Sequence, residues 1–372
     1  MIRVLSVFGT RPEAIKMAPL VKELEGRPGI RSIVCVTAQH RQMLDQVLTV
    51  FGISPDYDLN IMRHGQSLSA ITSSALCGLE AVIVECKPDL LLVHGDTSTC
   101  LTGALAAFYC RVPIGHVEAG LRSYDKYSPF PEEMNRQLTD RLSDLLFAPT
   151  AQSRAQLLQE HIPEEKIFVT GNTVIDAIAW TSGSTISHPA LSELEPEQRM
   201  ILLTAHRRES LGAPLRRIYR AARRLTEAFP DVAILCPLHL NPAVQNTARE
   251  MLSDRERIRL IEPPDVLAFH TLLRRAYLVL TDSGGIQEEA SALGKPVLVL
   301  RDTTERPEGL AAGGLKLVGT EEENIFQEAS RLLCDRNEYT RMCAAPNPFG
   351  DGHASERIAD IIEARCTPFD SL

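Results

Sequence analysis

The chain contains two series of alternating strand and helix patterns, and this alternation limits its possible folds more than any other feature. The first series starts with the apolar run Val4 to Phe8, and the second extends from Met200 to Leu300. Short apolar runs separated by helical periodicity are typical of parallel sheets with helices on both faces. Between the two series, Ser182 to Pro196 is rich in Ser, Pro and polar residues, which predicts a linker. We therefore predict an α/β protein with two doubly wound, Rossmann-like domains.

Length and charge agree with this organisation and exclude several classes of function. At 372 residues, the chain is too long for one ordinary core. Its net charge of −9 and pI near 5.6 argue against a partner that is nucleic acid or an anionic membrane. The sequence suggests neither a signal peptide nor a run of the roughly 18 apolar residues that a membrane helix needs. We expect a cytoplasmic protein.

The nine cysteines give a similar indication. They are scattered, form no C-x-x-C pair and lie mostly in apolar runs, so we expect buried free thiols in a reducing compartment. Neither a disulfide framework nor a zinc site is predicted, and no metal is expected.

A tight turn in the second series is the strongest local signal for a binding site. The apolar strand Leu278 to Thr281 ends at Asp282-Ser283-Gly284-Gly285, and a helix follows. Adjacent glycines permit close approach of a ligand, and the N–H groups of a helix N-terminus suit a phosphate. Glu289, one helical turn beyond Gly285, could accept hydrogen bonds from a sugar diol. Alternatively, the glycines form only the turn and the acidic residues complement the helix dipole.

Charged residues follow several strands of the first series. Arg11 stands at a helix start where the dipole disfavours a cation, and Lys16 lies one turn later, which suggests a pyrophosphate held by both. Asp96 and Glu118 each follow a buried-looking strand, and Glu132 follows a Pro-rich loop. Carboxylates in different environments can divide acid and base roles. The alternatives are solvated cations, a helix N-cap at Asp96 and a helix start at Glu132.

The second series supplies two further candidates. His206 follows the strand Met200 to Thr204 as a possible proton carrier or phosphate partner, and Arg306 follows a later strand as a phosphate ligand. The sequence contains no G-x-G-x-x-G after a strand, no P-loop and no G-x-S-x-G elbow, which disfavours NAD, ATP hydrolysis and serine-esterase chemistry. No cofactor is expected.

These motifs closely resemble those of the non-hydrolysing UDP-N-acetylglucosamine 2-epimerases. The matching stretches cover nearly the whole chain in order: FGTRPEAIKMAPL, TAQHRQMLDQVL, HGDTSTCL, GHVEAGLRS, YSPFPEEMNR, GNTVIDA, AHRRES, HLNP, TDSGGIQEEA and RDTTERPE. The resemblance implies the two-domain GT-B-like fold, with the domains facing each other across a cleft. It leads us to expect one domain at residues 1–172 and another at residues 173–352. A helix in residues 353–372 is expected to pack on the first domain. The resemblance also leads us to expect a homodimer.

The resemblance also implies roles for particular residues. UDP-sugar contacts are expected at Arg11, Lys16, Asp96, Glu118, His206, Phe269, Ser283, Gly284, Gly285, Glu289 and Arg306. The candidate catalytic groups are Asp96, Glu118, Glu132 and His206, and the motif does not say which carboxylate moves which proton. The family's regulatory UDP-N-acetylglucosamine site corresponds to Gln39, His40, Gln42, Arg207 and His239.

Three positions depart from the pattern of close relatives. Some members have Arg where this chain has Gly65, which bears on activation by substrate. Pro264 replaces a Gln beside the uracil and so removes a side-chain amide and a backbone N–H. Ala205 replaces a Gly or polar residue before His206.

The sequence therefore predicts an isomerase that interconverts UDP-N-acetylglucosamine and UDP-N-acetylmannosamine for bacterial surface polysaccharides. Three alternatives remain at this stage. They are a hydrolysing epimerase that releases N-acetylmannosamine and UDP, a glycosyltransferase on the same fold, and a sugar-nucleotide-binding regulator without catalysis.

Overall fold

The structure, a computed structural model, describes residues 1–38, 41–61, 65–183, 188–195 and 197–366, without the side chains of residues 41–43 and 208. The chain divides into two compact units. Unit 1 comprises Met1–Trp180 with Phe349–Leu372, and unit 2 comprises Thr181–Pro348. The sequence predicted domain boundaries after residues 172 and 352. These domain boundaries remain a prediction.

Unit 1 contains a seven-stranded, fully parallel sheet in the order β3-β2-β1-β4-β5-β6-β7. The strands are β1 (Ile2–Phe8), β2 (Ile30–Val36), β3 (Tyr57–Asp58), β4 (Leu90–His94), β5 (Ile114–Val117), β6 (Leu145–Ala148) and β7 (Ile167–Val169). The central strands are almost wholly apolar and buried, because helices cover both faces. The strand order reverses between β1 and β4, and ligands of such sheets bind outside the carboxyl ends at this point.

The helices of unit 1 lie between and after these strands. They are α1 (Arg11–Glu25), α2 (Arg41–Phe51), α3 (Leu68–Cys86), α4 (Ser98–Tyr109), α5 (Glu132–Leu142), α6 (Ala151–Gln159), α7 (Thr173–Ser182) and, from the end of the chain, α16 (Ala354–Arg365). The last helix packs against α1, and Arg27 pairs there with Asp360 and Glu363 at 2.7 and 2.9 Å.

Unit 2 repeats this architecture with a six-stranded parallel sheet in the order β10-β9-β8-β11-β12-β13. The strands are β8 (Arg199–Thr204), β9 (Val232–Pro237), β10 (Ile258–Ile261), β11 (Leu278–Thr281), β12 (Val297–Val299) and β13 (Leu315–Leu317). The strand order reverses between β8 and β11. Both sheets confirm the predicted α/β class.

The helices of unit 2 cover both faces of this sheet. They are α8 (Pro189–Ser192), α9 (Ala213–Ala228), α10 (Pro242–Leu252), α11 (Val266–Arg275), α12 (Gly284–Ala292), α13 (Pro307–Ala312), α14 (Glu322–Cys334) and α15 (Arg336–Cys343). A large apolar cluster between α9, α10, α14 and the sheet forms the core of the unit.

Several expectations need correction. The predicted linker Ser182 to Pro196 includes the short helix α8, while residues 184–187 and 196 lie outside the described part. All nine cysteines are free, but only Cys35, Cys100 and Cys236 are buried, so the expectation of buried thiols is wrong for the others. By length and composition alone, α3 could also cross a membrane, contrary to the expectation that no run comes close, although core helices of soluble proteins share these properties.

Candidate functional site

The polar cluster of unit 1 lies at the carboxyl ends of three neighbouring strands. Arg11 is the first residue of α1, after β1, while Asp96 and Glu118 follow β4 and β5. Because β1, β4 and β5 are adjacent in the sheet, these segments lie side by side. The expectation that Asp96 and Glu118 share an edge with Arg11 is therefore confirmed.

Glu118 is the centre of this cluster. Its buried carboxylate pairs with the ammonium of Lys16 and accepts a hydrogen bond of 2.9 Å from Asn172 Nδ2. His94 Nε2 lies 3.4 Å from the same oxygen, and neither nitrogen of this buried ring has a hydrogen-bond partner among the described residues. The backbone of Glu118 has a positive φ of 68°, a conformation that is strained for a residue with a Cβ atom and occurs preferentially at functional sites.

Asp96 has a different environment. Its side chain is 30% exposed, and its Oδ2 accepts a hydrogen bond of 2.5 Å from Arg136. The N-cap of α4 is Thr97, whose hydroxyl accepts a hydrogen bond from Cys100 N, so the helix-cap alternative for Asp96 is wrong. The Glu118 carboxylate is thus buried beside an ammonium, whereas the Asp96 carboxylate is partly exposed beside a guanidinium.

The third carboxylate, Glu132, begins α5 and is partly buried. Its neighbour Glu133, which is fully buried, accepts hydrogen bonds from Ser123 N and Tyr124 N at 2.9 and 3.0 Å. Glu133 therefore anchors the preceding loop, a role that the sequence did not assign to either residue.

Glu13 links the segment after β1 to the segment after β4. It completes a capping box with Thr10 and accepts hydrogen bonds from Gly9 N and Thr10 N. It also accepts a hydrogen bond of 2.5 Å from the Thr97 hydroxyl. Burial raises the pKa of Glu13 above its ordinary value, although these donors oppose the shift.

In unit 2, the polar cluster surrounds the start of α12. Ser283 occupies the N-cap without capping the helix through its side chain, so the first N–H groups lack that partner. Glu289 lies one turn beyond Gly285 and close to it, as helical spacing predicts. A Cβ atom added to Gly285 would lie 3.8 Å from Glu289 Oε1. Its other oxygen, Oε2, lies 3.6 Å from His270 Nε2 and lacks a hydrogen bond within the described residues. The arrangement suits an anion at the helix start and a hydroxyl-bearing group at Glu289.

Arg306 is held against the same helix. Its Nε donates to Glu288 Oε1 at 2.7 Å, and both residues are buried. A Cβ added to Gly284 would lie 2.7 Å from Arg306 Nη1, which explains the glycine at this position. A cation is thus fixed beside the N-terminus of α12.

His206 is positioned by Asp282. One carboxylate oxygen of Asp282 accepts hydrogen bonds from His206 N, Arg207 N and the Ser210 hydroxyl at 2.8, 2.9 and 2.8 Å. The other lies 3.7 Å from His206 Nδ1, and the His206 ring stacks on His239 at a centroid distance of 4.8 Å. Burial lowers the pKa of His206, and the charge of Asp282 opposes this shift.

Some of the remaining predicted residues belong to the part of the chain that the structure describes, and others do not. Phe269 is partly buried on α11, and Arg207 follows His206. Gln39 and His40, as well as the side chain of Gln42, lie outside the described residues. No group of His, Cys, Asp and Glu residues in the described part could hold a metal ion.

Among the described residues, sequence reasoning missed several that contact the predicted ones. They include His94, Arg136, Asn172, Asp282 and Glu288. All five lie within the conspicuous motifs, but their contacts depend on which loops meet in space.

Two doubly wound units, one with carboxylates at the carboxyl ends of its strands and the other with a helix start suited to an anion, place the chain in the GT-B-like α/β class. The sequence model of the UDP-N-acetylglucosamine 2-epimerase family matches residues 22–363. The chain belongs to this family.

Individual relatives agree. The UDP-N-acetylglucosamine 2-epimerase of Bacillus subtilis is 57% identical, over 96% of this chain and 94% of its own. That of Escherichia coli K12 is 53% identical, over 97% and 98%. Among solved structures, UDP-GlcNAc 2-epimerase from Neisseria meningitidis bound to UDP-GlcNAc has a TM-score of 0.94 and 48% identity, with 98% of this chain and 100% of that chain covered. The Staphylococcus aureus MnaA-UDP co-structure has a TM-score of 0.93 and 52% identity, with 98% and 96% covered.

Proposed function

We propose that this chain interconverts UDP-N-acetylglucosamine and UDP-N-acetylmannosamine by elimination and re-addition of UDP. The observation that carries the proposal is the Glu118 cluster, in which a buried carboxylate with Lys16 and Asn172 lies at one sheet edge with the more open Asp96. Two carboxylates in such different environments suit two different proton transfers.

The chemistry of the substrate explains why elimination is needed. The carbon that bears the acetamido group is not next to a carbonyl, so simple deprotonation forms no enolate. When UDP leaves the anomeric carbon, the ring oxygen stabilises the positive charge while a carboxylate removes the neighbouring proton. The product is a glycal and UDP. Re-addition of UDP to the anomeric carbon, with a proton delivered to the other face, gives the epimer.

The residues of the two units divide this work in our proposal. Asp96, Glu118 and Glu132 act as base and acid on the sugar. Arg11, Lys16, His206, Arg306 and the N-terminus of α12 stabilise the leaving diphosphate, and Glu289 accepts hydrogen bonds from the ribose. Arg306 supports this assignment because Glu288 holds its guanidinium beside the helix start.

Three further proposals concern the setting of the enzyme. We place it in the cytoplasm of a bacterium that makes surface polysaccharides, and a regulatory substrate site at Arg207 and His239 stays a prediction. We also propose a homodimer, which the exposed apolar side chains of Val84, Phe108 and Tyr109 on adjacent helices support. Sedimentation equilibrium that gives the mass of a single chain would contradict the dimer.

The decisive experiment is to incubate the purified protein with UDP-N-acetylglucosamine alone in deuterated water. We expect UDP-N-acetylmannosamine with deuterium at the inverted carbon and no requirement for NAD. Full retention of the original hydrogen would contradict elimination. Accumulation of free N-acetylmannosamine and UDP would instead identify a hydrolysing enzyme.

A further inference from the structure

We propose that a charged quartet, formed by the buried residues His116, Arg122 and Asp140 and the partly exposed Glu160, positions the catalytic carboxylates of unit 1. This inference rests on the proposed function. None of the four residues belongs to the predicted site, and none needs to contact substrate. Their place in the fold indicates that they set the relative positions of the segments that bear Asp96, Glu118 and Glu132.

His116 connects β5 to the segment of Asp96. Its side chain is fully buried, and its Nε2 lies 2.8 Å from the carbonyl oxygen of Gly95. Because a carbonyl oxygen only accepts hydrogen bonds, Nε2 must carry a proton. The other ring nitrogen, Nδ1, lies 2.6 Å from Asp140 Oδ1, so a proton also lies between these two atoms. The ring is thereby fixed at both ends, and it fixes the peptide that immediately precedes Asp96.

Asp140 connects the other two carboxylate-bearing segments. It lies on α5, the helix that Glu132 begins, and its Oδ2 accepts a hydrogen bond of 3.3 Å from Gly120 N, two residues after Glu118. Burial by itself would raise the pKa of Asp140, but His116 and Arg122 outweigh burial and hold this pKa below its ordinary value. The carboxylate is therefore charged, and it joins α5 to the loop that follows Glu118.

Arg122 and Glu160 complete the quartet. The guanidinium of Arg122 lies 2.7 Å from Asp140 Oδ2 and forms two bonds to Glu160, at 2.6 and 2.8 Å. Arg122 Nη1 also donates a hydrogen bond of 2.8 Å to the carbonyl oxygen of Leu121. Buried charges are expensive unless they are paired, and here each is paired.

The backbone that the quartet holds has a positive φ at three points, and this conformation is strained at Glu118, the one residue of the three with a Cβ atom. The φ angles of Gly95, Glu118 and Gly120 are 67°, 68° and 84°. A Cβ at Gly120 would lie 2.5 Å from the carbonyl oxygen of Ser153, so this loop passes very close to α6. Strained conformations persist only where surrounding contacts enforce them, and His116 and Asp140 supply such contacts on both sides of Glu118.

The test compares Asp140→Asn and His116→Gln with Asp89→Asn in the full-length protein. Asp89 is an equally buried carboxylate of unit 1 that accepts hydrogen bonds from Arg3 N and Nε at 2.7 and 3.3 Å, just before β4 and thus at the opposite edge of the sheet. For each variant, the measurements are the melting temperature, kcat and KM for epimerisation, UDP affinity by calorimetry, and the rate of deuterium entry from solvent into the sugar. All assays are run well below the lowest melting temperature.

We expect Asp140→Asn and His116→Gln to lower kcat and deuterium entry by about tenfold or more, because small displacements of catalytic groups are costly. Their KM and UDP affinity should stay within about threefold. Asp89→Asn should lower the melting temperature without this loss of kcat. His116→Gln decides the question if Asp140→Asn does not fold.

The inference is overturned if the folded quartet variants keep kcat within about twofold of wild type, or lose no more than Asp89→Asn. It is also overturned if KM and UDP affinity change while kcat does not. The wild-type reaction tests the proposed function separately. If wild type fails to epimerise UDP-N-acetylglucosamine, the function is wrong, whereas an active wild type with unaffected variants refutes only the positioning role.

Discussion

Units 1 and 2 share a fold but hold the candidate residues that follow their central strands by different means. In unit 1, ion pairs between side chains fix the carboxylates, as in Glu118 with Lys16 and Asp96 with Arg136. In unit 2, one buried carboxylate, Asp282, binds two backbone N–H groups and a hydroxyl, and a helix N-terminus supplies further donors. Side-chain charge pairs can tune proton affinity, whereas fixed backbone dipoles bind anions without proton exchange. In our proposal, the same architecture thus provides an acid–base site in one unit and an anion site in the other.

The largest effect should come from the carboxylates of unit 1. Asp96→Asn, Glu118→Gln and Glu132→Gln should each lower kcat by about a hundredfold or more, because each removes a group proposed to transfer a proton. UDP should still bind, as calorimetry can show. The matched control is Glu164→Gln, since this carboxylate is 72% exposed and pairs only at the surface with Arg154. Normal turnover in all three variants would show that unit 1 does not perform the proton chemistry.

A second prediction concerns the charge pairs that unit 2 does contain. The side chain of Glu305 is only 7% exposed and accepts two hydrogen bonds from Arg301, at 2.8 and 3.2 Å. Burial alone would raise its pKa, but Arg301 and Arg306 outweigh burial and lower it to about 2. Since the folded-state pKa is depressed, the stabilisation is present above the unfolded value and is lost as pH falls through about 2.

The measurement is urea unfolding of wild type and Glu305→Gln between neutral and acidic pH. At pH 7, the free energy of unfolding of wild type should exceed that of the variant by about 2–3 kcal/mol. This difference should shrink as pH falls below about 4.5. Asp302→Asn, an exposed carboxylate of the same loop, should show no comparable trend. A difference that is independent of pH would mean that the ion pair does not stabilise the unit.

The next smaller effect tests whether both units contribute to nucleotide binding. Arg11→Ala in unit 1 and Glu289→Ala in unit 2 should each weaken UDP binding by roughly tenfold to a hundredfold, the value of one charge-assisted hydrogen bond. Neither variant should unfold the protein. The controls are Arg31→Ala and Glu323→Ala, which replace exposed charges of unit 1 and unit 2. Unchanged affinity in calorimetry would remove the residue concerned from the site.

The smallest effect distinguishes the two glycines at the start of α12. Gly284→Ala should destabilise the protein by about 1 kcal/mol, because the new methyl group would displace the Arg306 guanidinium from its place beside Glu288. Gly285→Ala should be neutral or stabilising by up to about 1 kcal/mol, since its Cβ has room and alanine favours helix. Urea unfolding at neutral pH measures both. Equal stabilities would indicate that Arg306 is not tightly held.

Local patterns in the sequence determined the architecture. Apolar β-branched runs that alternate with helical periodicity predicted two parallel sheets, and the strand ends predicted that Arg11, Asp96 and Glu118 share an edge. The short strands β3 and β13 escaped this reasoning, because Tyr57–Asp58 has only two residues and Leu315–Leu317 has a lysine at its centre. Such edge strands carry little periodicity, and they form by pairing with a longer neighbour.

Tertiary structure alone decided the partners of the site residues. The pairing of Lys16 with Glu118 joins residues 102 positions apart, and that of Asp96 with Arg136 joins residues 40 apart. The role of Glu133 as anchor of the loop before α5 likewise depends on which donors meet its oxygens in space. Residue type and spacing determine which side chains reach the edge of the sheet. The free energy of pairing buried charges depends on distance and burial, and only the folded chain sets these.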